Sequence, residues 1–497
     1  MLKLKKIPVF HAVYPLIYIH ENCPDMQVRG LKSNIKVQLH GALQPFYGTL
    51  VVTSSDKIVQ PDEIGVSQPS FADLNMPEGS LLSLFPAPCP SSVDSIRRKM
   101  AGDILTYKEQ ENIVADIATN AYSDLEIAGF LVANASFYSP QEVLSLTMAL
   151  LQTFRSFPLK KKDDLIVDSY SVGGLLGNRT DPIVLAIILA AGMMMPKFSN
   201  YAVTSYSSTV DVMSTFCAVD LSEDEIRRVI DANNGCLVSS ANFRFSVANN
   251  RLIGVERGLG INTFPQIVSS TLAARKALGV THVLVDIPVG PFCKVKTMPE
   301  ALHLKKLFEY VADSLGLVLN IALTDGTEPV GNGIGPVLEA RDVMNVLRCS
   351  PEAPEDLKEK SLFIAGRILE FNAAVKGGEG YHRAMDLLTT GKALEAFTKI
   401  IFDQGKVSAE ALSPLCRDIL ASKDGIVGGF NAAHLHKIAL ATGAPRDKGS
   451  GLDLLVKSGE EVQAGDILYR IYAQNSNSFA FANGLAEGDI GVTILPQ

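Results

Sequence analysis

A glycine-rich stretch between two apolar segments constrains the fold of this chain most strongly. Residues 168–182 read DSYSVGGLLGNRTDP; apolar residues 165–167 precede them, and the uncharged, almost wholly apolar residues 183–195 follow. This order predicts a buried strand, a tight turn and a buried helix. Glycines let backbone amides approach an anion closely, and the first amides of a helix carry partial positive charge, so such a turn can hold a phosphate. A tight turn with nothing bound fits the same pattern.

Two further segments lie between the predicted helices and strands. Residues 198–211 read FSNYAVTSYSSTVD, which is rich in hydroxyl groups and has the period of neither a helix nor a strand. Residues 324–336 read TDGTEPVGNGIGP and separate an apolar run at 317–323 from a helical pattern at 337–347. The repeated alternation of strand and helix predicts a largely parallel sheet.

The first two of these segments, taken together as residues 168–211, resemble the paired phosphate and base loops of the thymidine phosphorylase and AMP phosphorylase family. The pattern of that family runs D-[KV]-H-S-[IV]-G-G-x-x-G-N-[RK]-T and then S-S-R-A-[IV]-T-S-x-x-G-T-x-D. Residues 324–341 are similar to a third family segment, T-D-G-x-x-P-[IV]-G-x-x-[IV]-G-P-x-L-E-A-R, whose role in the family looks structural. The resemblance covers essentially the whole chain and is closest to the AMP phosphorylase branch and its bacterial relatives.

The length of 497 residues exceeds what a single core usually holds, so several domains are expected. The sequence pattern and the resemblance together imply an α/β fold in which a helical domain faces a larger, mostly parallel α/β domain across a cleft. A small N-terminal β domain and a C-terminal barrel-sandwich-like β domain complete it. The predicted parts are an N-terminal β domain (1–88), a helical domain (93–164) with residues 252–279 packed on it, an α/β phosphate-binding domain (165–347), a helical continuation (348–424) and a C-terminal β domain (425–497).

Charge and cysteine usage narrow the classes of function. A net charge of −8 and a pI near 5.6 argue against a nucleic-acid-binding surface. The seven cysteines are scattered without a C-x-x-C pair, so the sequence predicts neither a metal site nor a disulfide framework. The apolar run at 183–195 is too short to span a bilayer, and the N-terminus lacks an apolar core of the signal-peptide type. We therefore expect a cytoplasmic protein that does not bind a membrane.

Members of the resembled family cleave an N-glycosidic bond with phosphate as the nucleophile. The products are a free base and a sugar 1-phosphate, and the reaction needs a phosphate cradle, a nearby cation and an acid that protonates the leaving base. No organic cofactor is expected, since inorganic phosphate is the co-substrate. The positions that the resemblance assigns to phosphate and substrate binding are Ser171, Gly173, Gly174, Tyr201, Thr204, Ser205, Thr209, Ser270 and Lys294.

Several positions that carry chemistry in the family hold other residue types in this chain. Ser169 and Tyr170 stand where the family has Lys or Val and then His, and Tyr201 stands where it has Arg. Asn262 occupies the position of an Asp thought to be the proton donor. An amide does not exchange a proton near neutrality, and loss of a positioned acid costs about 10² to 10⁴ in rate. Tyr170 and Tyr201 can instead donate hydrogen bonds or stack on a ring.

Two functions therefore remain open from the sequence. The first is phosphorolysis of a nucleoside of the thymidine or pyrimidine type, or of a nucleoside monophosphate, to a free base and a (deoxy)ribose 1-phosphate or its 5-phosphate. The alternative is a catalytically impaired family member that acts as a ligand-binding or regulatory scaffold. The resemblance also implies a homodimer or a larger homo-oligomer. The base, the sugar and the need for a 5′-phosphate do not follow from the sequence.

Overall fold

The computed structural model describes residues 1–9, 15–29, 31–155, 157, 159, 165–202, 205–240 and 246–496, without the side chains of 27–29. The chain forms two compact units. Met1–Ser156 together with Ser246–Ala277 is called the N-terminal unit below, and Phe157–Phe245 together with Leu278–Gln497 is called the C-terminal unit.

A closed six-stranded barrel begins the N-terminal unit. Its elements are β1 (Leu2–Ile7), β2 (Leu16–His20), α1 (Pro24–Arg29), β3 (Lys36–His40), β4 (Phe46–Thr53), β5 (Glu63–Ser67), α2 (Gln68–Leu74) and β6 (Leu81–Pro86). The strand order is β1-β5-β2-β4-β3-β6. Ile17, Val37 and Leu50 are wholly buried inside the barrel. Closure leaves this small sheet without a free strand edge.

Four helices follow the barrel: α3 (Val93–Met100), α4 (Tyr107–Ala118), α5 (Asp124–Ser136) and α6 (Pro140–Thr153). Reciprocal capping boxes begin α4 at Thr106 and α6 at Ser139, so that side chains satisfy the first free backbone amides. Pro140 occupies the first turn of α6, where a missing amide proton costs nothing. Helix α6 packs against α4, and α5 packs against α3.

Strands and helices then alternate through the middle of the chain. The elements are β7 (Val167–Ser171), α7 (Thr180–Ala190), β8 (Met195–Ser199), α8 (Thr209–Met213), α9 (Glu223–Asn233), β9 (Gly235–Ser239), α10 (Val247–Leu259), α11 (Phe264–Ala277), β10 (His282–Val289), α12 (Met298–Ser314), β11 (Val318–Asp325), β12 (Gly333–Ile334) and α13 (Pro336–Leu347). Helices α10 and α11 belong to the N-terminal unit, where α11 packs on α6.

The strands that precede β12 in the C-terminal unit pair in parallel. Strands β11, β10 and β7 are neighbours in that order, β8 pairs with β9, and a parallel bridge between Ile166 and Met194 joins the two groups. The apolar helix α7 is almost entirely buried against this sheet. The prediction of a mostly parallel α/β fold with a helical part and additional β elements is confirmed.

The last part of the chain adds helices and then antiparallel sheets. The elements are α14 (Glu355–Leu369), α15 (Gly380–Thr389), α16 (Lys392–Gln404), β13 (Leu415–Leu420), β14 (Gly425–Phe430), α17 (Ala432–Ala441), β15 (Gly451–Leu454), β16 (Glu461–Val462), β17 (Ile467–Ala473), α18 (Ser476–Gly488) and β18 (Val492–Leu495). Helices α14 and α16 pack on α7.

Two sheets form the C-terminal β part, with strand orders β12-β15-β17-β13 and β16-β14-β18. The β-rich part begins at Leu415 rather than at the expected residue 425, because β13 pairs along its length with β17. The short strand β12 also belongs to this sheet, although it precedes α13 in the chain. Within the described ranges, no helix is long and apolar enough to cross a membrane.

Candidate phosphate and substrate site

The glycine-rich loop after β7 packs closely on a second segment of the chain. Gly173 and Gly174 have φ values of +91° and +95°, which side chains rarely adopt. The amide of Lys294 donates to the carbonyl of Gly173 at 3.4 Å. A Cβ atom on Gly174 would lie 2.7 Å from the Lys294 nitrogen and 2.8 Å from the Cys293 Cα. The loop therefore needs glycine at position 174 for both its backbone conformation and its packing.

Gly174→Ala is expected to lower the free energy of unfolding by about 1–3 kcal/mol more than Gly173→Ala does, because it also overpacks the contact with Cys293 and Lys294. Gly173→Ala is a matched control, since both glycines share a positive φ and a Cβ on Gly173 approaches other atoms only to 4.0 Å. Urea denaturation of the two variants measures the difference. Equal losses would show that the loop does not contact residues 293–294 as described.

The hydroxyl group of Ser171 lies at the carboxyl edge of the parallel sheet, where ligands bind in open α/β folds. Its Oγ donates to Asp286 Oδ2 at 2.9 Å, and Asn178 Nδ2 donates to the same Oγ at 3.4 Å. Thr324 Oγ1 donates to the other carboxylate oxygen of Asp286 at 2.5 Å. Ser171 and Asp286 are register partners on β7 and β10, which places both side chains on one face of the sheet.

A buried lysine lies behind the loop. Lys197 Nζ is 3.2 Å from Asp168 Oδ1 and 3.0 Å from Asp181 Oδ1, and it also donates to the carbonyl and the hydroxyl oxygen of Ser169. Burial opposes ionisation of Asp181, but the Lys197 ammonium and a hydrogen bond from Ser169 hold its pKa below the ordinary value. The sequence reasoning missed this cluster. A lone lysine in the apolar run MPKFS was the available signal.

The hydroxyl-rich segment at residues 198–211, called the second loop below, is joined to the glycine-rich loop through Asp181. Thr209 Oγ1 donates to Asp181 Oδ2 at 3.3 Å. Tyr201 donates its hydroxyl proton to Asp220 Oδ2 at 2.6 Å, and burial raises the pKa of this phenol. Ser205 is exposed, and the predicted binding residue Thr204 lies outside the described residues. The hydroxyl of Tyr201 is thus engaged by Asp220, whereas Ser205 faces solvent.

A buried ion pair also joins the two loops. Arg179 Nε donates to Glu339 Oε2 at 2.9 Å, and Ser207 Oγ donates to the same oxygen at 2.5 Å. Burial raises the pKa of Glu339 to about 7, although the Arg179 guanidinium acts in the opposite direction. The amide of Gly177 donates to the hydroxyl oxygen of Tyr206 at 2.7 Å. Helix α13, which carries Glu339, therefore holds both loops in place.

The remaining predicted residues fall into two groups. Tyr170 is half-buried near the end of β7, and Lys294 is exposed beside Gly173. Asn262 and Ser270 belong to the N-terminal unit, where Asn262 is exposed between α10 and α11. Ser270 is half-buried and donates to the carbonyl of Ile267 at 3.4 Å. The structure thus brings Ser171, Gly173, Gly174 and Lys294 together, and it joins Thr209 to them through Asp181 and the loop.

A separate pocket of about 310 Å³ lies elsewhere in the C-terminal unit. It is lined by Glu328, Pro329, Glu355, Asp356, Phe430, Leu454, Lys457 and Ser458. None of the predicted site residues is in its lining. Among the residues that the structure describes, no group of three or more histidine, cysteine, aspartate or glutamate side chains could hold a metal ion.

Comparison with known proteins first defines the class. Residues 163–394 match the a/b domain of the glycosyl transferase family, and residues 93–154 match its helical bundle domain. Residues 426–491 match the pyrimidine nucleoside phosphorylase C-terminal domain. The fold is similar to anthranilate phosphoribosyltransferase from Thermus thermophilus, with a TM-score of 0.52, 17% identity, and coverage of 63% of this chain and 99% of that chain. The protein thus has the fold of this class of glycosyl transferases.

Curated relatives identify the family within the class. A protein of Rhodopseudomonas palustris named "Putative thymidine phosphorylase" is 41% identical over 460 residues, which cover 92% of this chain and 89% of the relative. A protein of the same name from Methylococcus capsulatus is 40% identical over 496 residues, covering 99% of this chain and 96% of the relative. The chain belongs to the thymidine phosphorylase family, and the predicted family is confirmed.

Proposed function

We propose that this protein is a nucleoside phosphorylase that cleaves a pyrimidine nucleoside, or the corresponding monophosphate, with inorganic phosphate. The main support is the loop after β7, where Ser171, the amides of Gly173 and Gly174, and Lys294 lie together at the carboxyl edge of the sheet. The names of the relatives and the match of the C-terminal domain support a pyrimidine base.

In the proposed reaction, a phosphate oxygen forms a bond to C1′ of the sugar while the bond from C1′ to the base nitrogen breaks. The loop amides and the Ser171 hydroxyl would hold the phosphate, and the Lys294 ammonium would offset its charge. The electron pair of the broken bond leaves with the base, which takes up one proton. Asn262 cannot supply that proton, so it has to come from another residue or from water.

The test is release of free base from a panel of substrates. The purified protein is incubated with phosphate and with thymidine, uridine, cytidine, adenosine or the corresponding monophosphates, and free base is measured by chromatography. We expect one pyrimidine to be released. Lys294→Ala is expected to reduce kcat/KM by about 10- to 100-fold, since a hydrogen bond to a charged group contributes about 1.5–3 kcal/mol. Lys296→Ala, an exposed neighbour, serves as the matched control.

Absence of base release from every substrate by folded protein would contradict the proposal. In that case the alternative, a ligand-binding scaffold, would be tested by thermal unfolding. A nucleoside or nucleotide that binds only the folded state raises the melting temperature, because it stabilises that state by RT ln(1 + L/Kd), where L is the free ligand concentration. A melting temperature unchanged by millimolar nucleosides, nucleotides and phosphate would contradict the scaffold as well.

A further inference from the structure

Another buried lysine lies next to Asp286, whose carboxylate accepts a hydrogen bond from Ser171. Lys360, on helix α14, places its Nζ 3.3 Å from Asp286 Oδ2, and the two side chains are 9% and 2% exposed. No hydrogen-bond partner of this Nζ is found in the described part of the chain. An ammonium group carries three protons and normally uses them when it is buried. Lys360 therefore has unused donor capacity directly beside the carboxylate that holds Ser171.

The carboxylate oxygen next to Lys360 is the one that accepts the proton of Ser171. Asp286 Oδ2 lies 2.9 Å from Ser171 Oγ, and Asp286 Oδ1 accepts from Thr324 at 2.5 Å. Ser171 Oγ in turn accepts from Asn178 Nδ2 at 3.4 Å. A serine hydroxyl has a single proton, so Ser171 cannot donate to Asp286 and to a phosphate oxygen at the same time.

Phosphate binding therefore requires an exchange of partners. If Ser171 rotates its proton towards the anion, Asp286 Oδ2 loses a hydrogen bond in a buried environment, which is unfavourable unless another donor replaces it. Lys360 Nζ is the donor within reach, and a shift of a few tenths of an ångström brings it from 3.3 Å to an ordinary charged hydrogen bond. The ammonium also balances the charge of Asp286 in both states.

We propose that Lys360 is a positioning residue for the phosphate co-substrate, an inference that rests on the proposed function. When Ser171 turns its proton to the phosphate, Lys360 Nζ donates a hydrogen bond to Asp286 Oδ2 in its place. The loop can then donate to the anion without leaving a buried carboxylate oxygen unpaired. Lys360 acts through Asp286 and Ser171 and does not contact the nucleoside. Removal of the Lys360 ammonium is therefore expected to weaken phosphate binding more than nucleoside binding.

The test compares Lys360→Met with Lys358→Met, a matched control on the same helix. Lys358 is paired with Glu355 near the surface at 3.0 Å. We expect Lys360→Met to raise the KM for phosphate and its dissociation constant from calorimetry by about 10- to 100-fold, in line with loss of a charged hydrogen bond. The KM for nucleoside should change less than twofold, and Lys358→Met should leave both constants unchanged. If Lys360 had a purely structural role, Lys360→Met would change the constants for phosphate and for nucleoside alike.

Two further variants keep the test decisive. Ser171→Ala and Ser171→Ala/Lys360→Met should bind phosphate equally weakly, because Lys360 acts only through Ser171. If Lys360→Met does not fold, Asp286→Asn/Lys360→Met removes both charges at similar volume and should bind phosphate nearly as tightly as the wild type, because no buried carboxylate oxygen is then left unpaired; weak binding by this folded double variant would contradict the inference. Normal phosphate binding by a folded Lys360→Met single variant, with base release intact in the wild type, would overturn this inference alone. A wild-type protein that neither binds phosphate nor releases base would overturn the proposed function and this inference with it.

Discussion

Lys197→Met is expected to lower the free energy of unfolding by about 3–5 kcal/mol, because it leaves two carboxylates without their cation in a buried site. Lys197 is 4% exposed and lies 3.2 Å from Asp168 and 3.0 Å from Asp181. Methionine keeps most of the volume of the side chain, so the decrease in unfolding free energy measures the loss of the charge rather than the creation of a cavity. Urea denaturation at pH 7 measures the change.

The control for this substitution is Lys305→Met in the same unit. Lys305 lies 3.8 Å from Glu309, and both side chains are substantially exposed, so the expected loss is about 0–1 kcal/mol. Adding Asp181→Asn to Lys197→Met should recover part of the stability, since it removes one of the two unpaired charges. If Lys197→Met were as stable as the control, the three charges would not form the buried cluster described above.

The second large effect concerns the ion pair between Arg179 and Glu339. Arg179→Met and Glu339→Leu should each cost about 3–5 kcal/mol, because each leaves a buried charge uncompensated. The double variant should be more stable than the sum of the single effects predicts, since it removes both charges. Denaturation at pH 8 suits the measurement, as burial raises the pKa of Glu339 to about 7 and its carboxylate is ionised above that pH.

A surface pair provides the comparison for this double-mutant cycle. Arg470 Nε lies 2.9 Å from Asp418 Oδ1, and the two side chains are 38% and 40% exposed. The coupling energy of that pair should be below about 1 kcal/mol. Strictly additive effects at Arg179 and Glu339 would mean that the two loops are not held together by this contact.

The order of strands and helices could be predicted because its signals are local. Residues 183–190 of the apolar run lie in α7, although the helix ends there and Met195 begins β8; a capping box at Ser222 and Glu225 begins α9, and the glycine-rich loops follow strands as expected. Such signals depend on neighbouring residues and on the period of hydrophobicity, and both can be recognised in the sequence alone. The family resemblance then identified which of several glycine-rich turns belongs to the candidate site.

The charged network around that site could not be predicted in the same way. Asp286 is 115 positions from Ser171, and Glu339 is 160 positions from Arg179. No periodicity links residues so far apart, and only the fold decides which of them meet. A general sign was nevertheless present, since Lys197 and Asp286 are charged residues within apolar strand patterns. Buried charges are rare without a partner, so each such residue points to a partner elsewhere.

The C-terminal β part depends on a distant segment of the chain, because strand β12 belongs to one of its sheets. Gly333–Ile334 pairs with β15, and Arg341 donates to both carboxylate oxygens of Asp453 at 2.7 Å. Because one strand of this sheet comes from residues 333–334, which precede α13, the C-terminal β part cannot be transferred to a relative as an independent domain. Residues 333–341 and the strands after Leu415 therefore have to be inherited, exchanged or redesigned together.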